Sequence, residues 1–315
     1  MTALTSDFTV LADGLEFPEG PIALPDGSVL LVEIARGTLT RISAEGNKQV
    51  VAEVGGGPNG AALGPGGWVY LCNNGGFQWI RRNGRLYPGD EPENYSSGRI
   101  ERVHPDSGAI EVLYTHCNGQ PLRGPNDLVF DRHGGFWFTD HGKTRPRERD
   151  VTGVFYAKAD GSYIEEVIFP MQAPNGIGLS PDGQELYVAE TPTGRLWAFA
   201  LDDQGALRQP AERGPGRRPD GGRLLHGRGG YFMFDSLAVT AGGKVCVATL
   251  IDGGITIYDP ADEGAEPGFV ALPDPLTTNI CFGGADARLA YVTLSSTGRL
   301  ITLPWSEPGL SLPHS

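Results

Sequence analysis

Six short motifs place an oxygen-bearing side chain at the mouth of an apolar run. They are Pro18-Glu19-Gly20, Pro58-Asn59-Gly60, Pro125-Asn126-Asp127, Pro174-Asn175-Gly176, Phe234-Asp235-Ser236 and Thr278-Asn279-Ile280. The central residues Glu19, Asn59, Asn126, Asn175, Asp235 and Asn279 each carry a carbonyl or carboxylate oxygen, and none is basic or apolar. Buried without partners, six such groups would cost on the order of several kcal/mol. A single amide after proline is an ordinary turn residue that bonds its own strand or a water. Six at one register, two of them acidic, point instead to a shared cation. Hard divalent ions take roughly six to eight oxygen ligands, and Glu19 with Asp235 supplies two negative charges for one ion. Such an ion, with open coordination positions, polarises a carbonyl and acidifies water, which serves hydrolysis of an ester, lactone or phosphoester.

The elements that must position these residues repeat with them. Eight residues after the central residue stands a turn glycine, namely Gly27, Gly67, Gly134, Gly183 and Gly243; only the sixth copy departs, with Ala287 there. Glycine suits a tight hairpin that needs positive φ. A second apolar run follows each turn: 29–33, 69–73, 136–140, 186–190, 245–249 and 290–294. A glycine-led third run comes next, at 37–42, 98–103, 153–157, 194–199, 254–258 and 298–303, and usually a fourth, such as 48–52 or 110–114. Short strands in groups of four, with no helix-period segment, predict an all-β, six-bladed β-propeller of four-stranded antiparallel blades. The sixth copy lacks an outer strand, and Phe8–Ala12 is expected to supply it, closing the ring without an open edge. The whole chain, 1–315, is then expected to form a single domain. The longest insertion lies between the second and third copies, around Phe77–Gly84 and Tyr87–Pro92, and another spans Arg213–Arg223 before the fifth. Loops on a rigid scaffold are where recognition residues collect. Phe77, Trp79, Tyr231 and Phe232 near them hint at a partly apolar substrate.

Composition narrows the function classes. A net charge of −13 argues against nucleic acid or an anionic membrane as the main partner. Cys72, Cys117, Cys246 and Cys281 show no CxxC spacing, and three sit inside apolar runs, so a zinc or redox motif is not supported. The first residues lack the basic and apolar regions of a signal peptide, and no apolar stretch reaches the roughly 18 residues of a membrane helix. A cytoplasmic protein is expected. No GxSxG motif suggests a serine esterase, and no GxGxxG lies between a strand and a helix.

From "FPEGPIALPDG" through "GPNDLVFDRHGGFWFTD", "APNGIGLSPDGQELYVAE" and "DSLAV" to "TTNICFGG", the chain resembles the SMP-30/gluconolactonase/luciferin-regenerating-enzyme family, whose wider relatives include diisopropylfluorophosphatase. The resemblance implies one divalent metal ion in the channel, with calcium expected first and zinc, manganese, magnesium or iron(II) as alternatives. Its ligands would be Glu19, Asn175 and Asp235, with Asn126 as a fourth metal or substrate contact; whether Asn59 and Asn279 touch the ion stays open. The family often has an arginine shortly before that asparagine, and Arg123 is the nearest match, one position further away. The implied reaction is hydrolysis of a sugar lactone, with Asp235 as ligand and general base, Arg123 and Asn126 orienting the substrate, and His141 at the rim. Organophosphate hydrolysis and a non-catalytic binding platform are the alternatives. A second calcium site known among the relatives is expected to be missing, because Cys281 and Ala238 stand at its positions.

Overall fold

The computed structural model describes residues 3–5, 7–208, 218–227, 230–262 and 264–314. Residues 213–217 of the second insertion therefore lie outside the described residues.

Six sheets stand around a central channel. Their strands, from inside outward, are 18–23, 29–33, 38–42 and 48–53 in blade 1, and 58–63, 69–73, 99–103 and 110–114 in blade 2. Blade 3 comprises 125–130, 135–140, 152–158 and 164–171, and blade 4 comprises 174–179, 185–190, 195–200 and 223–227. Blade 5 runs 233–239, 245–250, 254–258 and 268–271; blade 6 runs 277–283, 289–294 and 299–304 and takes its outer strand from Thr9–Ala12. Each inner strand touches the next around the ring, and the sixth touches the first.

This arrangement explains the composition of each strand. A blade is covered on both faces by its neighbours, so the second strands carry apolar residues without alternation and are buried throughout, as in Val29–Glu33 and Phe136–Asp140. Outer strands face solvent, and Lys48–Glu53 and Ile110–Tyr114 are mostly exposed. Between blades 2 and 3 the rings of Tyr70, Phe130 and Phe136 interlock, with Tyr70 edge-on to Phe130 at 5.0 Å. The five expected turn glycines all have φ between 71° and 89°. Ala287, where the motif loses its glycine, takes the same left-handed conformation at φ 54°.

The expected ring closure is present. Thr9–Ala12 runs antiparallel to Arg299–Pro304, with Val10 opposite Ile301. The segment just before it, Ala3–Thr5, adds a parallel strand to the outer edge of blade 5, so the same stretch of chain joins two blades. The first insertion forms a hairpin of its own, Trp79–Arg82 paired with Arg85–Pro88. Among the described residues no helix is long and apolar enough to cross a membrane.

Candidate functional site

A regular strand would point its side chains at the two neighbouring blades, not into the channel. All six inner strands break register where the polar residue sits, between Glu19 and Ile22, Pro58 and Ala61, Pro125 and Leu128, Pro174 and Ile177, Phe234 and Leu237, and Thr277 and Asn279. Bulges of this kind re-aim a side chain beside functional sites. The residue after the polar one then lies against the next blade's backbone. A Cβ on Gly20 would meet Asn59 O at 2.6 Å, one on Gly60 would meet Asn126 O at 2.4 Å, and one on Gly176 would meet Asp235 O at 2.6 Å. Those contacts require glycine at three of the motifs.

A second device fixes the height of the ring. The last residue of the second strand in blades 1 to 4 is Glu33, Asn73, Asp140 or Glu190, each no more than 2 % exposed. Each caps a backbone N–H two or three residues before the ring residue of its own blade. Glu16 N–H donates to Glu33 at 2.7 Å, Gly57 to Asn73 at 2.9 Å, Arg123 to Asp140 at 2.7 Å and Gln172 to Glu190 at 2.8 Å. In blade 6 the buried Asp274 does the same for Leu276 N–H at 2.9 Å. Buried side-chain oxygens, four carboxylates and the Asn73 amide, thus satisfy donors that the strand ladder leaves unpaired.

The ring itself is buried: Glu19, Asn59, Asn126, Asn175 and Asn279 are at most 5 % exposed, and Asp235 is partly open to solvent. Glu19 Oε2 accepts from Asn279 Nδ2 at 2.7 Å and from Gly20 N–H at 2.8 Å. Asn175 Nδ2 donates to Thr191 Oγ1 at 3.1 Å, and its Oδ1 accepts from Ser236 Oγ at 3.4 Å. Asn126 Oδ1 is buried with no hydrogen-bond partner. Asp127, beside it, contributes a third carboxylate and is itself buried; its Oδ1 accepts from Leu128 N–H at 2.9 Å.

These carboxylates feel one another. Burial raises the Glu19 pKa, which its hydrogen bonds only partly oppose. Burial and then the Glu19 charge push Asp127 up to about 8. The same two causes, in that order, hold Asp235 well above the ordinary carboxylate range. Three acidic groups converging in one ring, with an orphaned amide oxygen among them, are what a hard cation would satisfy. The donors mix carboxylates with amides, and among the described residues no three His, Cys, Asp or Glu side chains form a metal-binding group by themselves.

The expected substrate contacts stand on the same face. Arg123 occupies the register of Glu16 and Gln172, three residues before its ring residue, with its backbone held by Asp140 and its carbonyl accepting from Tyr95 Oη. His141 follows Asp140, and its N–H donates to Gly124 O at 2.9 Å. Burial and then the nearby Arg149 charge lower the His141 pKa to about 3, so its imidazole is neutral at neutral pH. Two residues on, Lys143 is 1 % exposed; its ammonium donates to Gly76 O and lies 4.4 Å from the centre of the Phe77 ring.

Sequence reasoning passed over Asp127 and Lys143. Asp127 takes the place that glycine fills in "PEG" and "PNG", a signal present in the motif comparison. Nothing local marks Lys143, whose partners come from another blade. Below the ring, on the opposite side from Arg123 and His141, the channel widens into a cavity of about 750 Å³. Leu63, Phe130, Leu179, Val239 and Phe282 line it, and Leu310 and Leu312 of the C-terminal segment cross it. Cys281 and Ala238 also face this space.

Comparison with known proteins adds four findings. A family model described as the SMP-30/gluconolactonase/LRE-like region matches residues 17–296. A gluconolactonase of Zymomonas mobilis is 24 % identical over 311 residues, spanning 89 % of this chain and 77 % of that one. Among solved structures, a gluconolactonase from Xanthomonas campestris superposes with a TM-score of 0.72 at 22 % identity, covering 95 % of this chain and 89 % of that one. Regucalcin of Agrobacterium tumefaciens, described as a calcium-binding protein, gives a TM-score of 0.74 at 19 % identity, covering 99 % and 100 %.

Proposed function

The chain belongs to the SMP-30/gluconolactonase/LRE-like family, and from that premise we propose that it is a divalent-metal-dependent lactonase. The observation that carries the reading is the ring: oxygen donors from six blades at one height, a Glu19 charge that raises the pKa of Asp127 and Asp235, and the buried, unbonded Asn126 Oδ1. Glu19, Asn126, Asn175 and Asp235 would hold the ion. Calcium is the first candidate, in keeping with the calcium-binding description of the regucalcin neighbour. When bound, the ion supplies electrophilic polarisation of the carbonyl and acidifies the attacking water.

The chain's own groups do the rest. Asp235, the ring residue most open to solvent, takes the water proton on a carboxylate oxygen as the new C–O bond forms. The ester C–O bond then breaks, the former ring oxygen gains a proton, and a hydroxy acid results. The Arg123 guanidinium attracts the substrate's ring oxygens, and the Asn126 amide sits beside the reacting carbonyl. His141, neutral, offers a hydrogen bond without adding charge.

The test is direct. Dialyse the protein against a chelator, restore calcium, zinc, manganese, magnesium or iron(II) in turn, and follow ring opening of a panel of lactones with a pH indicator. Activity that disappears with the metal and returns with one of these ions is expected; turnover unaffected by chelation would overturn the reading.

A further inference from the structure

The first residue past the ring register of each second strand stands on the face where the inner strands begin: Ile34, Asn74, His141, Thr191, Leu250 and Ser295, with Ile251 following Leu250. This tier borders the ring directly, because Thr191 Oγ1 accepts from Asn175 Nδ2 and Ser295 Oγ donates to Pro18 O at 2.6 Å. Four of its members are polar. Ile34 and Leu250 are 2 % and 7 % exposed and belong to the core, whereas Ile251, one residue further out, is 41 % exposed. Ile251 also holds φ at 75°, with its N–H donating to Pro275 O at 2.8 Å. A β-branched residue in the left-handed region is an outlier, and such strain collects at ligand sites.

Ile251 does not stand alone. Met233, two residues before Asp235, is half-buried and pairs with Leu250. Met233, Leu250, Leu276, Phe17 and Phe77 form one apolar cluster although they come from blades 5, 6, 1 and 2. The segment 74–98 brings Phe77 there by crossing the face. Its Leu86 N–H donates to Ser296 O on blade 6 at 2.9 Å, and Arg81 pairs with Glu16 on blade 1 at 3.1 Å. On blade 3 its Glu91 pairs with Arg145 at 2.9 Å. The face around the ring thus carries apolar side chains at Phe77, Met233 and Ile251 and polar ones at Arg123, His141 and Thr191.

We propose that the substrate is a lactone bearing an apolar substituent, with Phe77, Met233 and Ile251 as the residues that select for it. This inference rests on the lactonase reading. A hydroxyl-covered sugar lactone would leave hydroxyls unpaired against these apolar side chains, whereas an alkyl group gains from each methylene it buries.

The experiment compares kcat/KM for δ-valerolactone, its 5-pentyl derivative and gluconolactone in the wild type, Met233→Ser, Ile251→Ser and the conservative Ile251→Val. The wild type is expected to favour the pentyl lactone by about tenfold or more, the range that a few methylenes in an apolar pocket supply. Both serine variants reduce that preference at least about fivefold, chiefly through KM, and Ile251→Val retains it. Preference for gluconolactone, or an equal fall on all three lactones in the serine variants, overturns the inference and leaves the lactonase reading standing. Calorimetry with the non-hydrolysable pentyl lactam separates the two claims. Lactam binding that weakens in both serine variants supports the apolar selection even if no lactone is opened, and lactones opened by a protein that does not bind the lactam refute it.

Discussion

At the scale of single residues, the ring divides into groups that carry charge and groups that make room. Asp235→Asn and Glu19→Gln preserve shape while removing one negative charge each. Either is expected to lower kcat/KM by at least about a hundredfold, as loss of a general base does, and to reduce metal uptake in equilibrium dialysis. The melting temperature measured without metal should not fall, since in each case a carboxylate whose pKa the fold raises becomes a neutral amide. Wild-type turnover in both variants would remove the ring from the mechanism. Gly176→Ala works by another route: its Cβ would press on Asp235 O at 2.6 Å, so the inner strands must part. A loss of about 1–3 kcal/mol in denaturant unfolding is expected. Ala287→Gly runs the opposite way, because alanine at φ 54° pays for a conformation that glycine takes freely. A gain of about 0.5–1 kcal/mol is expected in the same experiment.

At the scale of elements, the legibility of the sequence divides cleanly. Turn glycines and second strands could be read because they obey local rules, whereas the left-handed conformation of Ala287, where the glycine is missing, is a finding of the structure. The bulge at each ring residue was not legible, since it leaves no gap in the motif; only the clustering of polar residues betrayed it. Nor was the role of Glu33, Asn73, Asp140 and Glu190 as caps, although they end the apolar runs visibly, because their partners lie some 16 to 18 residues back. The insertion reads as a loop on a rigid scaffold, but its reach from blade 3 to blade 6 depends on contacts that no periodicity encodes. Lys143 anchors it, and pH should report on that anchor. Burial lowers the Lys143 pKa from 10.5 to about 7, against the pull of Asp140, Glu91 and Asp150. Between those pH values the unfolded chain holds a proton that the folded chain gives up, so this group makes stability rise with pH across the window and adds no slope below it. Subtracting the urea-unfolding profile of Lys143→Met from that of the wild type should isolate the rise; a flat difference from pH 7 to 10 would mean the amine keeps its charge when buried.

At the scale of the whole molecule, the blade count, the convergence of six polar residues and the outer strand at 9–12 were accessible from repetition alone. The parallel strand at 3–5 was not, because three residues carry no pattern. The stretch that contains both strands ties blade 5 to blade 6 and covers the edge of Arg299–Pro304. A variant beginning at Asp13 would leave that edge bare, and exposed edges recruit other chains. It is expected to melt at a lower temperature and to form larger oligomers than the full chain in sedimentation velocity; an unchanged sedimentation profile would show that the clasp is dispensable.

Closing a circle with Thr9–Ala12 also sets a timetable. During synthesis these residues emerge long before Arg299–Pro304, so the sixth sheet waits for nearly the entire polypeptide while its earliest strand stays unpaired. Pairings this distant in the chain are slow to form, and the interval is when a nascent molecule is most open to misassembly. The polar stretch Ser6-Asp7 that leads into the waiting strand, and Asp13 that follows it, keep that strand flanked by charge until its partner arrives.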